Sequence, residues 1–327
     1  MSLPLSVLDL APVGSGTSAA EAARNTRELA MLADRLGYVR YWFAEHHAMP
    51  AVASSVPEIL IANAAAATTR IRVGSGGIML PNHSPLRVAE SFHTLEALHP
   101  GRIDLGIGRA PGSEPAASRA LRAFHGEQFS ALMSELILFS QKRFQEGHPY
   151  RRVMAMPDDV ELPPIWILGS SGASASAAGG AGMGYSFATH FSTDPARPAI
   201  EMYKASFRPS KQFAQPHAII GVSFVCAETD EEAQYLSLSG DLVRLQLLTG
   251  RLGAIPTPEE CLAHPWSDAE RAAIEPYRAL NVVGTPGRVR ERIEKMAREA
   301  MADEVMLVAN LHDHRARLKA YELVMKA

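Results

Sequence analysis

Apolar strand-like runs alternate with helical patterns along almost the whole of this chain. Three of the first four strand-like runs end in a polar cluster. Glu45-His46-His47 follows Tyr38–Phe43, Gly76-Gly77 through Pro81-Asn82-His83 follows Ile71–Ser75, and Arg109-Ala110-Pro111-Gly112 follows Ile103–Gly108. Alternation of this kind predicts an α/β architecture. Strands that are apolar on both faces fit a parallel sheet covered by helices. In a closed parallel barrel every C-terminal strand end opens onto one face, and catalytic groups come from several of them. Residues scattered in sequence then become one candidate pocket.

The spacing predicts strands at Leu3–Ala11, Tyr38–Ala44, Ile71–Leu80, Ile103–Gly108, Ile165–Leu168, Tyr185–Phe191, His217–Ala227 and Glu304–Ala309. Eight runs match a (β/α)8 TIM barrel of class α/β, and 327 residues leave room for insertions. Helices are expected at Ala19–Leu36, closed by Gly37, at Pro57–Thr69, Leu86–Leu98 and Thr229–Thr249, and at Pro286–Ala300 and Arg315–Met325. The rhythm breaks twice, giving insertions after strand 4 (residues 113–163) and before strand 8 (residues 250–281). Ser118–Phe144 reads as helical. Gly250–Asn281, with Pro256, Pro258, Pro265 and Pro276, reads as irregular and as a lid. The whole of residues 1–327 is expected to form one domain.

Composition narrows the partners. A formal net charge of −3 without a Lys/Arg-rich run interleaved with aromatics argues against nucleic acid. Cys226 and Cys261 are too few for a disulfide framework and fit a reducing compartment. No stretch reads as a signal peptide or bilayer span, so a cytoplasmic protein without membrane attachment is expected.

Each motif has a bland reading beside its functional one. Adjacent strand residues face opposite ways, so His46 and His47 do not share one task. Glu45 can raise a neighbouring histidine's basicity and fix its tautomer. Placement at a strand end favours function for His46, whereas either histidine alone could simply satisfy buried backbone. A metal site would need further ligands, such as His83 and His190, but no ligand-spacing motif is present. The glycines of Val73–Ile78 mark either close approach of a ligand or a bulge. Arg109 suits an anionic ligand or a surface ion pair. Ser170-Ser171-Gly172-Ala173-Ser174, between a strand and a helix, suits a phosphate or merely caps the helix. Gly14-Ser15-Gly16-Thr17-Ser18-Ala19 satisfies a dinucleotide fingerprint by letter, but Glu45, at the end of the next strand, lies later than the roughly 20 positions required, and no six-stranded doubly wound pattern follows. It is read as a loop over the barrel mouth.

Together these runs resemble the bacterial luciferase-like flavin monooxygenase family, in particular its single-chain, alkanal monooxygenase-like members. The carrying segments are Trp42–His47, Val73–His83, Pro100–Arg109, Ile167–Ser171 and Val283–Pro286, in family order. The resemblance implies a barrel that binds reduced FMN, with a deazaflavin as the less favoured cofactor. It implies reaction with O2 through a flavin hydroperoxide and oxygenation of a small organic substrate such as an aldehyde. By the same resemblance His46 is the catalytic histidine, Glu45 a flavin-pocket carboxylate, and Gly76-Gly77 a non-prolyl cis peptide beside the ring. Arg109, Ser171 and Ser174, beside Ser170 and Gly172, hold the phosphate, and His190 lines the flavin pocket. A separate flavin reductase and a homodimer are also implied, and no metal. Gly108 stands where luciferase itself carries a reactive cysteine, so thiol-dependent chemistry is not implied. A flavin carrier without turnover, a deazaflavin-dependent oxidoreductase, and a metal-dependent hydrolase using His46, His83 and His190 are the alternatives.

Overall fold

The computed structural model describes residues 3–327 apart from 111, 114 and 122–125; Pro111 of the strand-4 cluster therefore lies outside the described residues. Nine strands form: β1 (Leu5–Asp9), β2 (Arg40–Phe43), β3 (Arg72–Met79), β4 (Ile103–Gly108), β5 (Ile165–Gly169), β6 (Gly184–Phe187), β7 (Ala218–Cys226), β8 (Val282–Gly284) and β9 (Glu304–Val308). Strands β1 to β7 pair in sequence order, β7 pairs with β9, and β9 returns to β1, all in parallel. The result is a closed eight-stranded (β/α)8 barrel. The ninth strand, β8, lies outside the ring and pairs with the far end of β7 at Phe224–Cys226.

Local sequence explains the helices that position the strands. The helix Ala19–Leu36 starts where the Ser18 hydroxyl accepts from the Glu21 N–H at 3.1 Å and stops at Gly37, whose φ of 85° a residue with a Cβ adopts at a cost. The helix Pro57–Ala67 begins with proline at its first position, where the missing N–H has no role. Side chains alternate along each strand. On β1, Leu5 and Val7 join the large core under the helices. Leu8 belongs instead to a smaller cluster drawn from the strands, with Trp42, Trp166, Ile219, Met306 and Val308. That second cluster fills the barrel interior. Trp42 and Trp166 meet edge-on there at 5.4 Å.

Four expectations change. Residues 250–281 are not irregular: helices run over Pro258–Ala263 and Asp268–Arg278, and Pro276 sits inside the second. The 118–144 region holds two helices, Pro115–Ala120 and Phe129–Gln141, with a 3-10 turn at Gly126–Gln128. The sixth strand ends at Phe187, so residues 188–191 leave the sheet. The short β8 was not anticipated.

Strand β3 shows the bulge that its glycines suggested. The Gly76-Gly77 peptide is cis, and the register against β4 shifts between Ser75 and Ile78. A Cβ on Gly77 would lie 2.8 Å from the Gly106 carbonyl oxygen, and one on Gly76 would lie 2.6 Å from Leu8. Only glycine allows the chain to pass between its neighbours at this height in the barrel wall.

Candidate active site

A cavity of about 1320 Å³ opens at the C-terminal mouth of the barrel. Its floor is the interior cluster, with Leu8, Met306 and Val308 contributing. Of the residues singled out from the sequence, His46, Gly76, Arg109, Ser170, Ser171, Ser174 and His190 all line it. Gly77, Gly172, Glu45 and His83 are not among its lining residues.

The strand-2 cluster divides as strand alternation requires. The His46 ring lies on the cavity wall with Nδ1 3.2 Å from the Gly112 carbonyl oxygen. A proton on Nδ1 satisfies that carbonyl and leaves Nε2 as the acceptor. Burial lowers the pKa of His46, outweighing the Gly112 carbonyl and the Glu45 charge, so the neutral ring is favoured. Glu45 turns away from the cavity and is fully buried. Its carboxylate meets His47 Nε2 at 2.9 Å and His83 Nε2 at 2.9 and 3.0 Å, and accepts from Asn82 Nδ2 at 2.9 Å and Met79 N–H at 2.8 Å. Burial alone would raise its pKa, but hydrogen bonding and charge from His83, with Asn82 and His47, hold it below the ordinary value. The carboxylate expected to touch the cofactor is thus a brace that ties β2 to the end of β3. With His83 committed to Glu45, the three histidines of the metal-hydrolase alternative do not gather around one point. Among the described residues no group of three metal-ligating side chains is arranged to hold an ion.

His190 follows β6 and is brought to the cavity by the early end of that strand. Its Nδ1 is buried against the Gly221 backbone, whose hydrogen bonding acts on it, and has no side-chain partner among the described residues. Burial, then the nearby His46, push its pKa down to about 4. Arg109 is exposed at the rim, and no hydrogen bond or ion pair engages its guanidinium among the described residues. After β5, Ser171 occupies the N-cap of the helix Gly172–Gly180 but its hydroxyl caps no N–H. It lies 3.4 Å from the Ser174 hydroxyl, which donates to the Ser171 carbonyl at 2.8 Å. The N–H groups of the helix's first turn, and hydroxyls that turn toward the cavity, can donate to an anion there.

Sequence reading missed the far wall, built by the helices Asp230–Thr249 and Asp268–Arg278. Arg244, Asp241, Tyr277 and Arg278 line the cavity from there, among apolar Leu236, Val243 and Ile274. Arg278 pairs with Asp241 at 3.2 Å. The segment following Thr249 is anchored as a strap: Ile255 N–H donates to the Val13 carbonyl at 2.8 Å, and Ser15 N–H donates to the Ile255 carbonyl at 2.7 Å. The glycine-rich run after β1 is therefore a loop that fastens this strap. The capping-box spacings Thr257–Glu260 and Ser267–Glu270 were the available signal for the two helices.

A closed parallel barrel with one large polar-rimmed cavity at its C-terminal face defines an enzyme of the TIM-barrel kind. The family model for luciferase-like monooxygenases matches residues 3–304. The chain belongs to that family and is a flavin-dependent monooxygenase by membership. It is 39% identical over 326 residues to a luciferase-like monooxygenase of Escherichia coli K12, covering 99% of this chain and 96% of that one. It is 31% identical over 328 residues to the N-acetyl-S-alkylcysteine monooxygenase of Bacillus subtilis, covering 99% and 97%. The solved structure of apo-MsnO8 superposes with a TM-score of 0.89 at 39% identity, covering 99% and 97%. More distant structures share the fold alone. They include the FMN-bound oxygenating constituent of 3,6-diketocamphane monooxygenase from Pseudomonas putida, at 19% identity and a TM-score of 0.74, covering 100% of this chain and 97% of that one. An F420-dependent secondary alcohol dehydrogenase in complex with an F420-acetone adduct has 14% identity and a TM-score of 0.67, covering 99% and 98%.

Proposed function

We propose that this chain binds reduced FMN at the barrel mouth and uses O2 to oxygenate a small organic carbonyl or sulfur compound, a long-chain aldehyde among the candidates. One observation carries the reading: Arg109, unpaired among the described residues, the Ser170, Ser171 and Ser174 group, the side-chain-free Gly76 and the buried His190 share a single cavity. Its 1320 Å³ exceeds the roughly 300–1,000 Å³ of common ligand sites and leaves room for a substrate beside a cofactor.

In this reading Arg109 and the serines hold the phosphate by charge-assisted hydrogen bonds. Gly76 gives a wall against which a flat ring lies, and His190 offers Nδ1 to a polar ring edge. The reduced flavin supplies the electrons that activate O2. Neutral His46 accepts or returns a proton at Nε2 while Gly112 holds the ring in one tautomer. The strap of residues 250–281, fastened at Val13 and Ser15, serves as the lid that excludes water. The separate reductase, the homodimer and the cytoplasmic location anticipated from the sequence are further parts of the same reading. The described residues contain no helix long and apolar enough to cross a membrane. The 31% identity to an enzyme named for N-acetyl-S-alkylcysteine is the reason to include thioethers among the substrates tried.

The test is turnover with chemically reduced FMN and O2 over a panel of aldehydes and thioethers, with products weighed by mass spectrometry. Oxygenated product is expected. His46→Ala should retain FMN and lose about 10²- to 10⁴-fold in rate. A wild-type protein that binds FMN yet yields no oxygenated product from any member would leave the carrier reading in its place.

A further inference from the structure

Among the described residues three arginines line the cavity, and they are not in the same state. Arg278 has its counter-charge in Asp241 at 3.2 Å. Arg109 stands free at the rim after β4. Arg244, on the helix Asp230–Thr249, is half-buried with no carboxylate or hydrogen-bond acceptor among the described residues. Its guanidinium lies over the Tyr277 ring at 4.2 Å. A cation over an aromatic ring is held by the ring's quadrupole, which does not use up the N–H donors of the guanidinium. A half-buried guanidinium without a counter-charge among the described residues, in a cavity also lined by Leu236, Val243 and Ile274, is offset by an anion. Burial lowers the pKa of Arg244, in keeping with a desolvated cation that lacks a counter-ion.

We propose that Arg244 is a specificity residue for a substrate carboxylate, and that the substrate is amphipathic, with an acidic head at Arg244 and an apolar body along the helices 129–141 and 230–249. The inference rests on the flavin reading above. The cavity holds two unpaired guanidiniums on different elements, whereas FMN carries one phosphate, which Arg109 and the serines can hold. The same cavity is lined by apolar Leu236 on the helix 230–249 and by Met133 and Ile137 on the helix 129–141, surfaces that suit a hydrocarbon chain. Planar bidentate pairing favours a carboxylate over a neutral polar head.

The experiment is calorimetric titration of decanoate and of 1-decanol into the FMN-loaded protein, with FMN affinity measured separately by flavin fluorescence. Wild type is expected to bind decanoate at least about tenfold more tightly than decanol. Arg244→Gln should abolish that preference and change FMN and decanol affinity less than twofold. Arg244→Lys, which keeps the charge, should retain part of the preference and shows that loss in the Gln variant is not misfolding. A wild type without carboxylate preference overturns the proposal. So does an Arg244→Gln protein that loses FMN as much as decanoate, since Arg244 would then be a second phosphate clamp. Wild type that prefers decanoate in its FMN-free form yet fails to bind FMN would sink the flavin reading alone.

Discussion

The two ends of the barrel use charge in opposite ways. At the N-terminal end, Arg40, Arg72, Asp104, His217 and Glu304 form a closed network. Arg40 meets Asp104 at 2.8 Å and Glu304 at 3.1 Å, Arg72 meets Asp104 at 2.7 Å, and His217 meets Glu304 at 2.9 Å. The Ser6 hydroxyl bonds Glu304, and Trp42 Nε1 donates to Asp104 at 3.1 Å. Arg40 also stacks on Trp166 at 4.6 Å. At the C-terminal end, Arg109 and Arg244 lack counter-charges among the described residues and His190 Nδ1 lacks a side-chain partner there. Burying charge costs free energy unless it is paired. The end whose charges are paired therefore plugs the barrel, Trp166 Nε1 being left without a partner there among the described residues, and the end with unpaired charges is where partners from outside complete the bonding. A polar residue in this molecule is read by whether its bonds are filled.

Breaking the paired end should have the largest effect. Asp104→Ala leaves Arg40 and Arg72 without their shared carboxylate and should lower unfolding free energy by about 3–5 kcal/mol. Urea denaturation measures this, and FMN affinity of the folded fraction should stay within about twofold of wild type. A stability loss below about 1 kcal/mol would mean the network is ornamental.

The Glu45–His83 pair, near the mouth yet satisfied, sharpens the comparison with a smaller effect. Glu45 titrates below its ordinary 4.5 and His83 above its ordinary 6.5. The carboxylate's contribution is present above pH 4.5 and fades as pH falls through its lowered value. The histidine's is present below pH 6.5 and fades as pH rises through its raised value. The pair thus stabilises most between those limits. His83→Asn should cost roughly 1–3 kcal/mol at pH 5.5 and clearly less at pH 9. Equal losses at both pH values would assign His83 a packing role only.

What could be read from the sequence was what neighbours in sequence decide. The helix Ala19–Leu36 carries its own cap and stop at Ser18 and Gly37, and β4 ran as expected from Ile103 to Gly108. Eight strand-like runs gave the barrel because alternation is a local property. His46, Arg109, Ser171 and His190 could be placed at one rim because the fold sends every strand end there. The 258–263 and 268–278 helices were lost because four prolines outweighed two capping boxes that were equally visible. Glu45 was assigned to the flavin pocket by the family resemblance, and nothing near it in sequence shows what its carboxylate bonds. Its partners His83 and Asn82 lie 38 and 37 positions away. Arg244 was invisible for a related reason: an arginine on a helix reads as solvated until the ring of Tyr277 and an apolar wall are seen around it.

The claim that unfilled bonds at the mouth await a flavin phosphate is tested most directly by comparing FMN with riboflavin, which lacks only that group. Fluorescence titration of wild type should show FMN bound about ten- to a hundredfold more tightly, and Arg109→Gln should remove most of that difference while leaving riboflavin affinity unchanged. Equal affinity of wild type for the two flavins, or a preference that survives the loss of Arg109 in full, would contradict the account.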